Sequence, residues 1–227
     1  MKRIWTDLLR LFFPKSCCVC GRRLASEEKE ICLECLSYFI RTDDDRHPNE
    51  TETLFIGKAY IENAYAMYHY DKGEHIQRAI HALKYHGCPR AGYELAHIAA
   101  SELAQAHSPL CDVDVLVPVP LHPAKKRQRG YNQAEWIARG LAAVWGTPID
   151  TRSLVRTRNN STQTHLAPNE RWENTRGIFR LARPDLAGKH VLLIDDVITT
   201  GATLSHCAEI LLQEEGTRVS IFALARV

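Results

Sequence analysis

The sequence predicts an α/β protein: a mostly parallel sheet flanked by helices, preceded by a small four-cysteine unit of zinc-ribbon type. Three observations carry this. From about residue 54, apolar runs alternate with stretches of helical periodicity, the pattern of βαβ units. One run, Val191, Leu192, Leu193 and Ile194, is apolar at every position, as a strand buried on both faces must be. Two Cys-x-x-Cys pairs, Cys17 with Cys20 and Cys32 with Cys35, precede the pattern.

The chain has 227 residues, enough for one large domain and a small appendage. Residues 1–14 carry Ile4, Trp5, Leu8, Leu9, Leu11, Phe12 and Phe13, interrupted by Lys2, Arg3, Asp7 and Arg10. That mixture reads as a short amphipathic helix, not as the core of a signal peptide. No segment approaches the roughly 18 apolar residues of a membrane helix, so no membrane span is expected. A cytoplasmic location is the resulting expectation, and disulfides are rare there.

The eight cysteines then need another account. Cys17, Cys20, Cys32 and Cys35 offer four thiolates in two close pairs, the donor set of a structural zinc site. All four ligands come from protein, which leaves no open position for chemistry. A unit this small cannot bury much core, so metal would supply most of its folding energy, on the order of 10–16 kcal/mol. Cys18 is an alternative to Cys17 by a one-residue shift. Cys88, Cys111 and Cys207 read as ordinary thiols. The first domain is placed at residues 1–42. Residues 41–53 hold five acidic residues and almost nothing apolar, the composition of a linker or exposed loop. The second domain spans residues 54–227.

Within it, Ala66, Tyr68 and Tyr70 alternate as on a strand, with a turn at Asp71, Lys72 and Gly73. Ile76, Ile80 and Leu83 recur at helical spacing, as do Leu95, Ile98 and Leu103. Val113, Val115, Val117 and Val119 mark a strand. A helix over about residues 131–145 buries Ala134, Ile137, Ala138 and Leu141. Short extended pieces are expected at residues 148–150, 153–155 and 178–181. Residues 191–196 form a strand, 203–215 a helix and 218–225 a closing strand. In such folds ligands bind at the carboxyl ends of the strands. Attention therefore falls on the residues just after Val119 and just after Ile194.

Beyond Ile194 come Asp195, Asp196, Val197, Ile198, Thr199, Thr200, Gly201, Ala202 and Thr203. Paired acids at a strand end can accept hydrogen bonds from vicinal hydroxyls, as on a ribose. Small residues from Thr199 to Thr203 let backbone N–H groups curl round a phosphate, and the next helix directs its positive end there. Beyond Val119 comes a basic run with Lys125, Lys126, Arg127 and Arg129. Arg127 and Arg129 are the candidate pyrophosphate ligands, since guanidinium forks match phosphate oxygens; Lys125 and Lys126 are assigned to solvent. Over residues 121–180 there are 11 Lys and Arg against 4 Asp and Glu, a local charge of +7. That excess suits either a phosphate-bearing partner or a solvated basic face. Arg156, Arg158, Gln163, Thr164, His165, Arg171, Asn174 and Arg176 make residues 156–179 polar and basic, either a substrate-covering loop or plain surface.

The run from Val191 to Thr203 resembles the phosphoribosyl-pyrophosphate (PRPP) motif of type I phosphoribosyltransferases. The whole chain resembles the ComF family of bacterial competence proteins. That resemblance rests on the paired cysteines and on Leu83, Lys84, Tyr85, His86 and Gly87. It rests also on Val117 to His122 and Arg129 to Gln133, on Gln163, Arg171, Asn174 and Phe179, and on the run from Asp195. It implies a type I phosphoribosyltransferase-like fold, with Asp195 and Asp196 on the ribose hydroxyls and residues 199–203 on the 5′-phosphate. It implies Mg²⁺ with PRPP, a role in natural transformation, and as partners single-stranded DNA, a ComF-type helicase and a DNA-processing protein. Tyr131, Trp136 and Trp172 could stack on bases or belong to the core. The alternative is an active Mg-dependent phosphoribosyltransferase that displaces pyrophosphate from PRPP with an unidentified nucleophile. Thr199 stands where 6-oxopurine phosphoribosyltransferases carry an aspartate near the base, which disfavours that activity.

Overall fold

The computed structural model describes residues 15–44, 49–70, 74–158 and 177–227. The expected N-terminal helix, the turn at Asp71 to Gly73, and Gln163, Thr164, His165, Arg171, Trp172, Asn174 and Arg176 lie outside the described residues.

A four-stranded parallel sheet organises the protein among the described residues. Its strands are β1 (Ala64–His69), β2 (Val115–Pro118), β5 (His190–Ile198) and β6 (Arg218–Arg226), in the order β1-β6-β5-β2. Two short strands, β3 (Leu154–Arg156) and β4 (Phe179–Leu181), pair antiparallel beside it. The helices are α1 (Leu33–Ser37), α2 (Glu50–Thr53), α3 (Glu74–Tyr85), α4 (Pro89–Gln105), α5 (Pro123–Arg129), α6 (Gln133–Trp145) and α7 (Ala202–Leu211).

The central strand explains itself. Val191 to Ile194 are completely buried, which is worth roughly 1.5–3 kcal/mol for each large side chain. Successive residues serve opposite faces. Leu192 and Ile194 join a core with Ile80, Leu95 and Ile137, from α3, α4 and α6. Val191 and Leu193 join a second core with Leu204, Cys207 and Leu211 of α7 and with Phe179 of β4. β2 and β5 run side by side, pairing Val115 with Val191 through to Pro118 with Ile194. Their carboxyl ends therefore open on the same edge.

Two expectations change. Residues 49–53 are not a linker. Asn49 caps α2 in a reciprocal box with Glu52, and its amide also donates to the Asp44 and Ala64 carbonyls. The buried Asp44 carboxylate accepts from the Thr51 hydroxyl and, at 2.9 Å, from the Ala66 N–H. Acidic composition concealed a hydrogen-bonded strap that carries Phe55 into the second core. The basic run after β2, for which no helix was expected, is helix α5, started by Pro123 and capped by the His122 imidazole, which accepts from the Ala124 N–H at 3.2 Å.

Candidate functional site

The loop after β5 turns at Gly201. Gly201 has φ +75°, a conformation open chiefly to glycine, and a Cβ there would sit 3.3 Å from the Phe55 ring. This turn ends β5 and starts α7 directly, and the Ala202 N–H at the helix start donates to the Thr200 hydroxyl at 3.4 Å. Thr199 is exposed, Thr200 and Thr203 are half-buried, and Gly201 and Ala202 are buried. Lys58 Nζ donates to the Thr200 carbonyl at 2.8 Å and fixes the loop from outside. Lys58 went unnoticed in the sequence because nothing local links it to a loop 142 positions away.

The two acids do not share one environment. Asp196 is 3% exposed and its Oδ1 lies 2.9 Å from Lys84 Nζ of α3. Its Oδ2 is buried with no hydrogen-bond partner. Burial works against the Lys84 charge, but Asp196 and then Asp195 outweigh it and hold its pKa above the ordinary lysine value. Asp195 is partly exposed and lies on the other side of the strand, where it feels Arg156. Its carboxylate accepts the Asp196 N–H at 2.8 Å. Burial first, and then the Asp196 charge, raise its pKa to about 7. Two neighbouring residues on a strand are obliged to diverge in this way.

Cations gather at the same edge. Burial, then Arg156 and Arg129, press the pKa of half-buried Lys125 below its usual value. Burial likewise lowers that of Arg156, whose guanidinium lies 5.3 Å over the Phe179 ring. Arg129 bonds the Gln133 amide oxygen and lies 5.5 Å over the Tyr85 ring. Lys126 is engaged by Glu135 at 2.6 Å. Of the two arginines expected to meet pyrophosphate, Arg129 joins this group, whereas Arg127 is exposed on α5. Lys125, assigned to solvent from sequence, lies among the clustered cations. The helical turn of α5 separates it from Arg127, which a loop reading could not anticipate. Tyr131 and Asn132 position these parts: the phenol donates to the Leu83 carbonyl at 2.6 Å, and the amide donates to the Val119 carbonyl at 3.0 Å.

A second cluster lies in the N-terminal unit. The sulfurs of Cys17, Cys20, Cys32 and Cys35 all lie within 4.8 Å of one another. Cys20 Sγ is 3.8 Å from Cys32 Sγ, which matches the edge of a tetrahedron with Zn–S bonds of about 2.3 Å. The N–H groups of Val19 and Cys32 donate to Cys17 Sγ at 3.4 and 3.3 Å, and that of Cys35 to Cys32 Sγ at 3.4 Å. Such donors favour thiolates, the form that binds metal. The residues fit a tetrahedral four-thiolate ion. The cluster contains Cys17 and not Cys18.

A parallel sheet whose central strand ends in an acid pair and a glycine-turned loop defines a phosphoribosyltransferase-type protein. Residues 85–227 match the family described as phosphoribosyl transferase domain, and the chain belongs to it. Its relatives within that family are ComF-type proteins. It is 32% identical over 149 residues to DNA utilization protein YhgH of Salmonella typhi, covering 65% of each chain. It is 30% identical to competence protein F of Haemophilus influenzae over 58% of each. With competence protein ComFC of Bacillus subtilis it shares 37% identity over 49% of this chain and 44% of that one. The chain thus spans less than two thirds of the length of these curated relatives. No helix among the described residues is long and apolar enough to cross a membrane.

Proposed function

We propose that the protein binds PRPP with Mg²⁺ at the carboxyl edge of the sheet and serves DNA uptake in the cytoplasm. Asp195 accepts from the ribose hydroxyls. The amides and hydroxyls of residues 199–203 hold the 5′-phosphate, and Lys125, Arg129 and Arg156 balance the pyrophosphate. Zn²⁺ at Cys17, Cys20, Cys32 and Cys35 is structural. Single-stranded DNA, a ComF-type helicase and a DNA-processing protein are the partners of this reading, as the names of the relatives suggest.

The observation that carries it is the Gly201 turn, which starts α7 at the carboxyl end of the strand that bears a partly exposed Asp195. Asp196 is assigned a supporting role, because its reachable oxygen is engaged by Lys84. The test is calorimetric titration with PRPP and Mg²⁺ near pH 8. Asp195→Asn is expected to weaken binding several-fold, since a hydrogen bond to a charged acceptor contributes on the order of 1.5–3 kcal/mol and one between neutral groups about 0.5–1.5. Equal affinity in the two proteins would remove Asp195 from the site, and no heat with wild type would remove the site altogether. Pyrophosphate release on adding a panel of bases and amines would mark turnover.

A further inference from the structure

We infer a second metal site, distinct from the four-cysteine cluster, in which His81 and His86 bind a divalent transition ion that favours right-angled ligand geometry. His81 Nδ1 and His86 Nε2 lie 3.0 Å apart. Metal–nitrogen bonds of about 2.0–2.1 Å meeting at a right angle hold two nitrogens roughly 2.9 Å apart, and tetrahedral bonds hold them roughly 3.3 Å apart. The observed separation fits the right angle, so the pair suits Cu²⁺ or Ni²⁺ before Zn²⁺. It suits Mg²⁺ poorly, because that ion takes oxygen ligands.

The backbone sets the pair in place. His81 stands near the end of α3, and His86 follows Tyr85, the last residue of that helix. The His86 and Cys88 N–H groups both donate to the Ala82 carbonyl, at 3.1 and 3.4 Å. The Cys88 thiol donates to the His86 carbonyl at 3.6 Å. Gly87 turns this corner at φ +67°, where any side chain would be strained. The corner thus folds one imidazole back against the other. The Tyr85 ring packs 4.7 Å from the His81 ring and restricts it. Ligands held ready in this way need little rearrangement to take an ion.

The surroundings admit an ion. Both imidazoles are exposed and line a cleft of about 540 Å³. Glu74 and Arg78 line it too and pair with each other at 2.7 Å, so their charges offset and a dication meets no net repulsion from them. The half-buried Cys18 thiol belongs to the same cleft. Among the described residues, only the four cysteines form a closed donor set. An ion on the histidine pair therefore keeps open positions, as exchangeable and catalytic sites do and structural ones do not. The cleft has room for water or a small anion in those positions.

The site stands independently of PRPP binding. The test titrates Ni²⁺ into the zinc-loaded full chain by calorimetry, with zinc release followed by a colorimetric chelator. One Ni²⁺ per chain is expected to bind while the zinc stays in place, and millimolar Mg²⁺ should not compete. His81→Gln and His86→Gln should each weaken Ni²⁺ at least tenfold. His97→Gln, on α4 and not part of the cleft, should leave it as in wild type. With Cu²⁺ as probe, electron paramagnetic resonance should show two imidazole nitrogens in wild type and fewer in either variant. Circular dichroism checks the fold, and His81→Asn or His86→Asn replaces any glutamine variant that unfolds. Ni²⁺ affinity unchanged in both histidine variants would overturn the site. So would a heat fully matched by zinc release, or no Ni²⁺ bound by wild type.

Discussion

The ion pair of Lys84 with Asp196 puts the two adjacent acids in different environments. Removing Asp196 strands a largely buried ammonium, at a cost of roughly 3–5 kcal/mol, so a double substitution of the acids would confuse folding with binding. Asp195 is the cleaner probe. Burial and the Asp196 charge raise its pKa to about 7, against an ordinary aspartate value of 3.8. A raised carboxyl binds its proton more tightly in the folded state. Its contribution to stability is therefore complete below about pH 4 and is lost as pH rises through about 7. Between pH 6 and 8 the wild type should lose about 1 kcal/mol that Asp195→Asn keeps. Urea midpoints of both proteins at the two pH values test this; parallel changes would mean that Asp195 titrates normally.

At the scale of elements, α4 and α6 pack closely at Gly140. A Cβ on Gly140 would sit 2.4 Å from the Tyr93 carbonyl and 2.8 Å from Ala96 Cβ. Gly140→Ala should gain up to about 1 kcal/mol in helix propensity. It should lose about 2–3 kcal/mol by forcing two packed backbones apart. The clash wins, because the obstacle is backbone and cannot rotate away. A urea midpoint at or above wild type would refute that balance. The sequence made the strands and the long helices readable because their signals are local: apolar runs at residues 191–194 and 3.6-residue spacing at Ile76, Ile80 and Leu83. The loop at Gly201 was readable for the same reason. What was not readable was pairing between distant positions. Lys84 with Asp196, Lys58 with Thr200, and Asp44 with Thr51 and Ala66 each join segments whose own composition says only that they are polar. The helix α5 was missed because seven residues rich in Lys and Arg show no apolar stripe.

At the scale of the molecule, the four-cysteine unit and the sheet domain share one core. Cys17, Ile31, Cys32, Cys35 and Phe39 are buried in the same cluster as Ile80, Leu95 and Phe222. Glu94 clasps the backbone of Glu30 and Ile31. Arg41 bridges antiparallel to Tyr68 on strand β1 and pairs with Glu102 at 2.6 Å. Independent domains would melt separately, but a shared core couples them. Metal binding by such thiolates contributes on the order of 10–16 kcal/mol in small units, and part of that energy would hold Ile31 and Phe39 in the shared core. Stripping the metal with a strong chelator should therefore shift one cooperative calorimetric transition downward by more than about 8 °C, since even 2–3 kcal/mol moves a 150–250-residue protein by roughly 4–12 °C. Metal analysis before and after should show one equivalent lost. A sheet-domain transition that stays in place while a separate small one disappears would show that the unit is only tethered, and that the Glu94 clasp carries no coupling.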